Sequence, residues 1–153
     1  MKLRPGRWQG RGSFLRHGQS RGTSFESTFT ITAEPRGTQV TGTLQAKEPG
    51  GIREFSIWIT PDEMGTYTLM VTIPGSTLRG TAKLESLPHL ALLWSDSGTT
   101  SVAATLFPVS GGHGLRGFAR TQKNVVTWEV VLQETIRAVK ADNVVTLTTR
   151  KKR

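Results

Sequence analysis

About ten times along this chain a run of alternating apolar and polar residues begins, lasts for less than a dozen positions and stops at a turn built from Pro, Gly or Asn. That rhythm constrains the fold more than any other feature. A period of two sends alternate side chains to opposite faces of a strand, whereas a helix repeats near 3.6. Between Thr23 and Ala33, Phe25, Phe29 and Ile31 fall on one face and Glu26, Thr28, Thr30 and Thr32 on the other. Between Thr38 and Ala46, Val40, Gly42 and Leu44 oppose Gln39, Thr41, Thr43 and Gln45. The same alternation sets Phe55, Ile57 and Ile59 together, with Arg53 in their parity and Trp58 on the opposite face. It also groups Tyr67, Leu69, Val71 and Ile73; Leu78, Gly80 and Ala82; Leu90, Leu92 and Trp94; and Val126, Trp128, Val130 and Leu132. Ser101 to Phe107 is nearly all apolar, and the glycine-rich Pro108 to Gly114 reads as a flexible connection.

No stretch before Thr135 shows a helical period. The connections are short, which makes the strands antiparallel neighbours in an up-and-down meander. An open sheet of that many strands leaves two edges and an uncovered apolar face, and closure removes both. The expected fold is all-β: a single antiparallel barrel of about ten strands over residues 5–135. A two-layer sandwich is the other architecture compatible with the pattern. Residues 136–153 form a basic C-terminal tail, solvated or adding one short helix or strand.

The chain has 153 residues, a net charge of +9 and no cysteine. Disulfide frameworks and thiolate chemistry are therefore excluded, and a reducing, cytoplasmic setting is the expectation. Residues 1–4 and 136–153 carry +7 of the net charge, and the body 5–135 only +2. A nucleic-acid groove would lie on the folded body, so the charge distribution argues against that partner. No apolar run is long enough for a membrane-spanning helix, and the first residues hold no apolar signal segment.

The first run is Gly6-Arg7-Trp8-Gln9-Gly10-Arg11-Gly12-Ser13-Phe14, with Trp8, Gly10, Gly12 and Phe14 on one face. Glycines inside a strand mark sharp bends or close approach of another backbone or ligand. The Gly-x-Trp of residues 6–8 opening a meander resembles the calycin group, the lipocalins and fatty-acid-binding barrels. The fuller Gly6, Trp8, Gly10, Gly12 pattern and the strand count are more similar to the nitrobindin-like and fatty-acid-binding members. The resemblance implies a barrel-closing role for these four residues and an interior that takes a small ligand. In lipocalins a late basic residue stacks on the motif tryptophan, a place that Arg116 or Arg120 would take here. Nitrobindin-like barrels hold haem through a late histidine, for which His113 is the latest available. Bilin-handling lyases share the architecture.

The candidate site residues follow from strand phase. Phe55, Tyr67, Trp94 and Trp128 are expected to line the interior, with Phe29, Leu69 and Leu92. A barrel of this strand number is too wide for side chains to fill completely. On the penultimate run either Leu115, Gly117 and Ala119 face inward, or Arg116, Phe118 and Arg120 do; the apolar-inward habit of the other runs favours the first. In the second case a buried guanidinium needs an anionic partner, such as a ligand carboxylate. Arg116 is the first candidate cation for such a head group and Arg53 the second. His89 falls out of phase with Leu90, Leu92 and Trp94 and is expected at the surface, and His113 at the rim. No spaced His, Asp or Glu cluster suggests a metal, and no nucleophile elbow or phosphate loop is present.

The functional expectation is a binding or carrier barrel for a small, largely apolar ligand, with no catalytic residues assigned. One alternative is a lyase or chaperone acting on a tetrapyrrole or polyene, with haem or bilin bound. Another is an interaction module using the basic tail. An oligomer is compatible with all three.

Overall fold

The structure is a computed structural model that describes residues 3–47 and 51–135. The basic tail, and any helix or strand expected in it, lies outside these residues. Ten strands follow in order: β1 (Gly6–Arg16), β2 (Thr23–Glu34), β3 (Gly37–Ala46), β4 (Ile52–Pro61), β5 (Tyr67–Ile73), β6 (Ser76–Lys83), β7 (His89–Ser95), β8 (Ser101–Val109), β9 (Gly112–Arg120) and β10 (Val125–Glu134). Each pairs antiparallel with its neighbour in sequence, and β1 closes the barrel on β10. Among the described residues there is no helix. The all-β barrel read from the alternation is the fold, and the sandwich is not.

The glycine-rich segment expected as a flexible connection is a hairpin. β8 runs on to Val109, β9 starts at Gly112, and only Ser110 and Gly111 lie between them. Gly111 takes φ +79°, a left-handed conformation that disfavours a side chain. The glycines around it therefore extend the ladder instead of loosening it.

The buried core runs along the β1, β2, β3 and β10 side of the barrel. Trp8 is 5% exposed and forms a cluster with Phe25, Phe29, Ile31, Val40, Val130 and Leu132, against which Leu3 also packs. The Trp8 ring stacks on Phe29 with centroids 6.4 Å apart, and its indole N–H donates to the Arg4 carbonyl at 2.8 Å. Burying the indole thus leaves no polar atom unsatisfied. The side chain across the other edge of the ring is His113, at 6.0 Å, not an arginine. At the far end Arg53 and Ile73 point inward by parity yet remain exposed.

Gly10 and Gly12 sit where β1 passes between β2 and β10. A Cβ on Gly12 would lie 2.0 Å from the Glu129 carbonyl oxygen. Gly12 is there because the β10 backbone occupies its side-chain space, and Gly10 because the Leu132 and Val130 side chains crowd its own.

Candidate functional site

The lumen is built from one row of small side chains. Directly paired residues across β5 to β10 read Tyr67, Ala82, Ala91, Ala104, Gly117 and Trp128, all on the inner face. Four consecutive strands thus contribute three methyl groups and a hydrogen between two aromatic rings. The Trp128 indole lies over Gly117, where a Cβ would come within 2.6 Å of it. The inward side chains of β4, β8 and β9, including Phe55, Ile57, Val102, Leu106 and Leu115, are only half-buried. Facing inward in a sealed, filled barrel they would be buried. The row is small, and the inward side chains around it are not fully packed.

Trp128 and Phe55 face the lumen as the alternation predicts, and Phe55 packs at 6.5 Å from Phe29. Tyr67 also faces inward by register, but its hydroxyl donates to the Glu85 carboxylate. That bond, and then burial, push the phenol above its ordinary value, so Tyr67 is no ready acid.

Trp94 and Leu92 lie outside, contrary to expectation. Trp94 is 49% exposed, opposite Arg79 and Ser101 on the outer face. The inner residues of β7 are His89, Ala91, Leu93 and Ser95. The reason is register: β7 pairs Ala91 with Ala82 and Ala104, and a slip of one residue would turn every side chain over. β7 is apolar on both faces, so bulk alone pointed the wrong way.

On β9 the small face is inward. Leu115, Gly117 and Ala119 line the lumen, while Arg116, Phe118 and Arg120 point out. Arg116 pairs with Glu129 at 3.0 Å and lies over the Phe107 ring, in the wall of a solvent-open groove of about 280 Å³. Phe118 is 43% exposed. Neither reaches the interior, and the lumen cation expected of Arg116 is absent from that place. Arg53 stands exposed at the rim, near the start of β4.

The histidines are the larger surprise. His89 is 2% exposed, on the inner face beside Ala91 and opposite Leu106. His113 is also inward, opposite Leu132 and Pro108 and against Trp8. Among the described residues, the Nδ1 atoms of these two histidines are the buried side-chain polar atoms without a hydrogen-bond partner. An orphaned buried polar atom costs about 1–3 kcal/mol. Burial foremost, with nearby positive charge from Lys83 and His113, holds His89 below the ordinary histidine value. His89 opens its strand after Pro88, where the Lys83 ammonium donates to the Ser86 and Pro88 carbonyls at 2.7 and 3.0 Å. The alignment of Ala82, Ala91, Ala104 and Gly117 was the sequence signal for this phase, since it makes the inner face of β7 the one that holds His89.

No group of three or more His, Asp or Glu side chains suited to a metal occurs among the described residues. Among them, no helix is long and apolar enough to cross a membrane.

No protein-family model and no curated protein matches the sequence. Solved structures do. An S-type phycobiliprotein lyase from Guillardia theta superposes with a TM-score of 0.62 at 9% identity, covering 85% of this chain and 87% of its own. A de novo designed fluorescence-activating β-barrel covers 84% of this chain and 93% of its own at 16% identity, with a TM-score of 0.43. At 9% identity the first likeness is one of fold. The chain is a closed, ten-stranded antiparallel barrel.

Proposed function

We propose that this protein binds a small, largely apolar ligand in the barrel lumen. The observation that carries the reading is the small-residue row from Ala82 to Gly117, set between Tyr67 and Trp128. Apolar walls that no side chain fills gain free energy when a ligand displaces their water. The ligand enters at the end near Arg53 and Ile73, and Trp8 with Leu3 packs at the other.

A second reading is that the ligand is a tetrapyrrole, bound as haem or as a bilin and carried or processed there. The inward His89 and His113 favour it, because imidazoles suit both iron and pyrrolic partners. The structural neighbour named as a phycobiliprotein lyase is in keeping with it.

Native mass spectrometry of the protein purified from its own host, with a visible absorbance spectrum of the same sample, tests both. A colourless bound mass is the expected result, and a coloured one selects the tetrapyrrole. A protein that leaves its host empty, and stays so after incubation with a lipid extract of that host, contradicts the binding reading.

A further inference from the structure

We propose that His89 and His113 together form the head-group anchor of the lumen, taking the carboxylate of an otherwise apolar ligand; this rests on the lumen-binding reading above. Both residues lie on the inner face at the end of the barrel where Trp8 lies, and the Nδ1 atom of each is buried without a partner. The polar groups around them are engaged elsewhere. The Tyr67 hydroxyl is on Glu85, the Lys83 ammonium on two backbone carbonyls, and the Thr105 hydroxyl on the His89 carbonyl at 3.0 Å. Across the barrel the Ser27 hydroxyl is on the Thr43 carbonyl at 2.9 Å. Among the described residues, the fully buried side-chain polar atoms left without a partner are these two imidazole nitrogens.

The chemistry of the head group follows from the charges. Lys83 on β6 and His113 on β9 act on His89 as positive charges. β8 presents no titratable side chain to His89, only Leu106 opposite it. Glu85, in the connection before β7, is held by Tyr67, and Glu134 stands on β10 opposite Trp8. Two desolvated imidazoles, each able to donate one N–H and to gain a second on protonation, suit an anion with two acceptor oxygens. Arg116 and Arg120 are on the outer face and cannot serve.

Binding of this kind takes up a proton. In the free barrel, burial and the neighbouring positive charge keep His89 neutral near pH 7. A carboxylate beside it favours the imidazolium, in which both nitrogens donate. Affinity therefore rises as pH is lowered from about 8 to about 6, while the ligand acid stays ionised.

A long-chain acid and the propionate of a tetrapyrrole offer the same carboxylate, and one experiment separates them. Calorimetric titrations use hexadecanoate and hexadecan-1-ol, then biliverdin and its dimethyl ester, in two buffers of different ionisation enthalpy. The wild type is compared with His89→Gln, His113→Gln, the double variant and the outer-face control Arg116→Ala. One acid is expected to bind at least about tenfold more tightly than its uncharged counterpart, with net proton uptake. The histidine variants lose that preference but keep the affinity for the uncharged ligand, and Arg116→Ala behaves as wild type. If the double variant does not fold, proton uptake and the pH dependence of the wild type decide. Equal affinity of the wild type for acid and uncharged partner, or a preference that survives in the histidine variants, overturns the anchor and leaves the lumen reading standing. A failure of all four ligands to bind overturns both.

Discussion

Gly12→Val is expected to destabilise the barrel by about 3 kcal/mol or more, read as a shift in the denaturation midpoint. A Cβ at this position meets the Glu129 carbonyl oxygen at 2.0 Å and the Val130 Cα at 2.7 Å. Both atoms are backbone of β10, the strand that closes the barrel on β1. No rotamer relieves the contact, so β1 must part from β10 or bend. Gly10→Ala is the useful contrast. Its Cβ meets only side-chain carbons of Leu132 and Val130, at 3.0 Å, which have rotamers to give. A smaller loss is expected there. Equal losses in the two variants would mean that the seam between β1 and β10 is looser than its register implies.

The second large effect concerns binding. Ala104→Phe puts a phenyl ring into the middle of the small-residue row, between Ala91 and Gly117. Affinity for an apolar ligand such as hexadecan-1-ol is expected to fall at least about tenfold, measured by calorimetry. Stability is expected to stay within about 1 kcal/mol of wild type, because the ring enters unfilled space. In a filled core the same substitution costs about 1–3 kcal/mol through overpacking. The two readouts together therefore tell a hollow barrel from a packed one. A destabilised variant whose affinity is unchanged contradicts the lumen site.

How far the sequence could be read depended on how far each strand separates its two faces. β2 and β3 put threonines and glutamines outside and apolar residues inside, so their phase followed from alternation alone. The Trp8 face of β1 and the Trp128 face of β10 were legible for the same reason. β7 carries Leu90, Leu92 and Trp94 on one face and Ala91 and Leu93 on the other, and hydrophobic bulk selected the wrong one. A lumen that holds a ligand wants small inward residues, so the rule that the largest apolar side chains point in fails at the wall of the cavity. The same inversion hid His89. Its inward setting follows from pairing with β6 and β8, a relation between strands that no single run displays. On β9 the two arginines made one face conspicuous, while the inward face was Leu115, Gly117 and Ala119. The orphaned histidine nitrogens were illegible outright, because satisfaction of a polar atom is a property of packing.

The claim that ligand binds inside the barrel is tested most directly by fluorine NMR of protein labelled with 5-fluorotryptophan, titrated with hexadecanoate. The tryptophans divide the molecule cleanly: Trp8 and Trp128 face inward, and Trp58 and Trp94 face outward. Resonances are assigned with single Trp→Phe variants. Binding in the lumen predicts a saturable shift of Trp128, and of Trp8 if the head group reaches His113 beside it, with Trp58 and Trp94 unmoved. A shift confined to Trp58 and Trp94 would place the ligand on the outer face of the sheet and contradict the account.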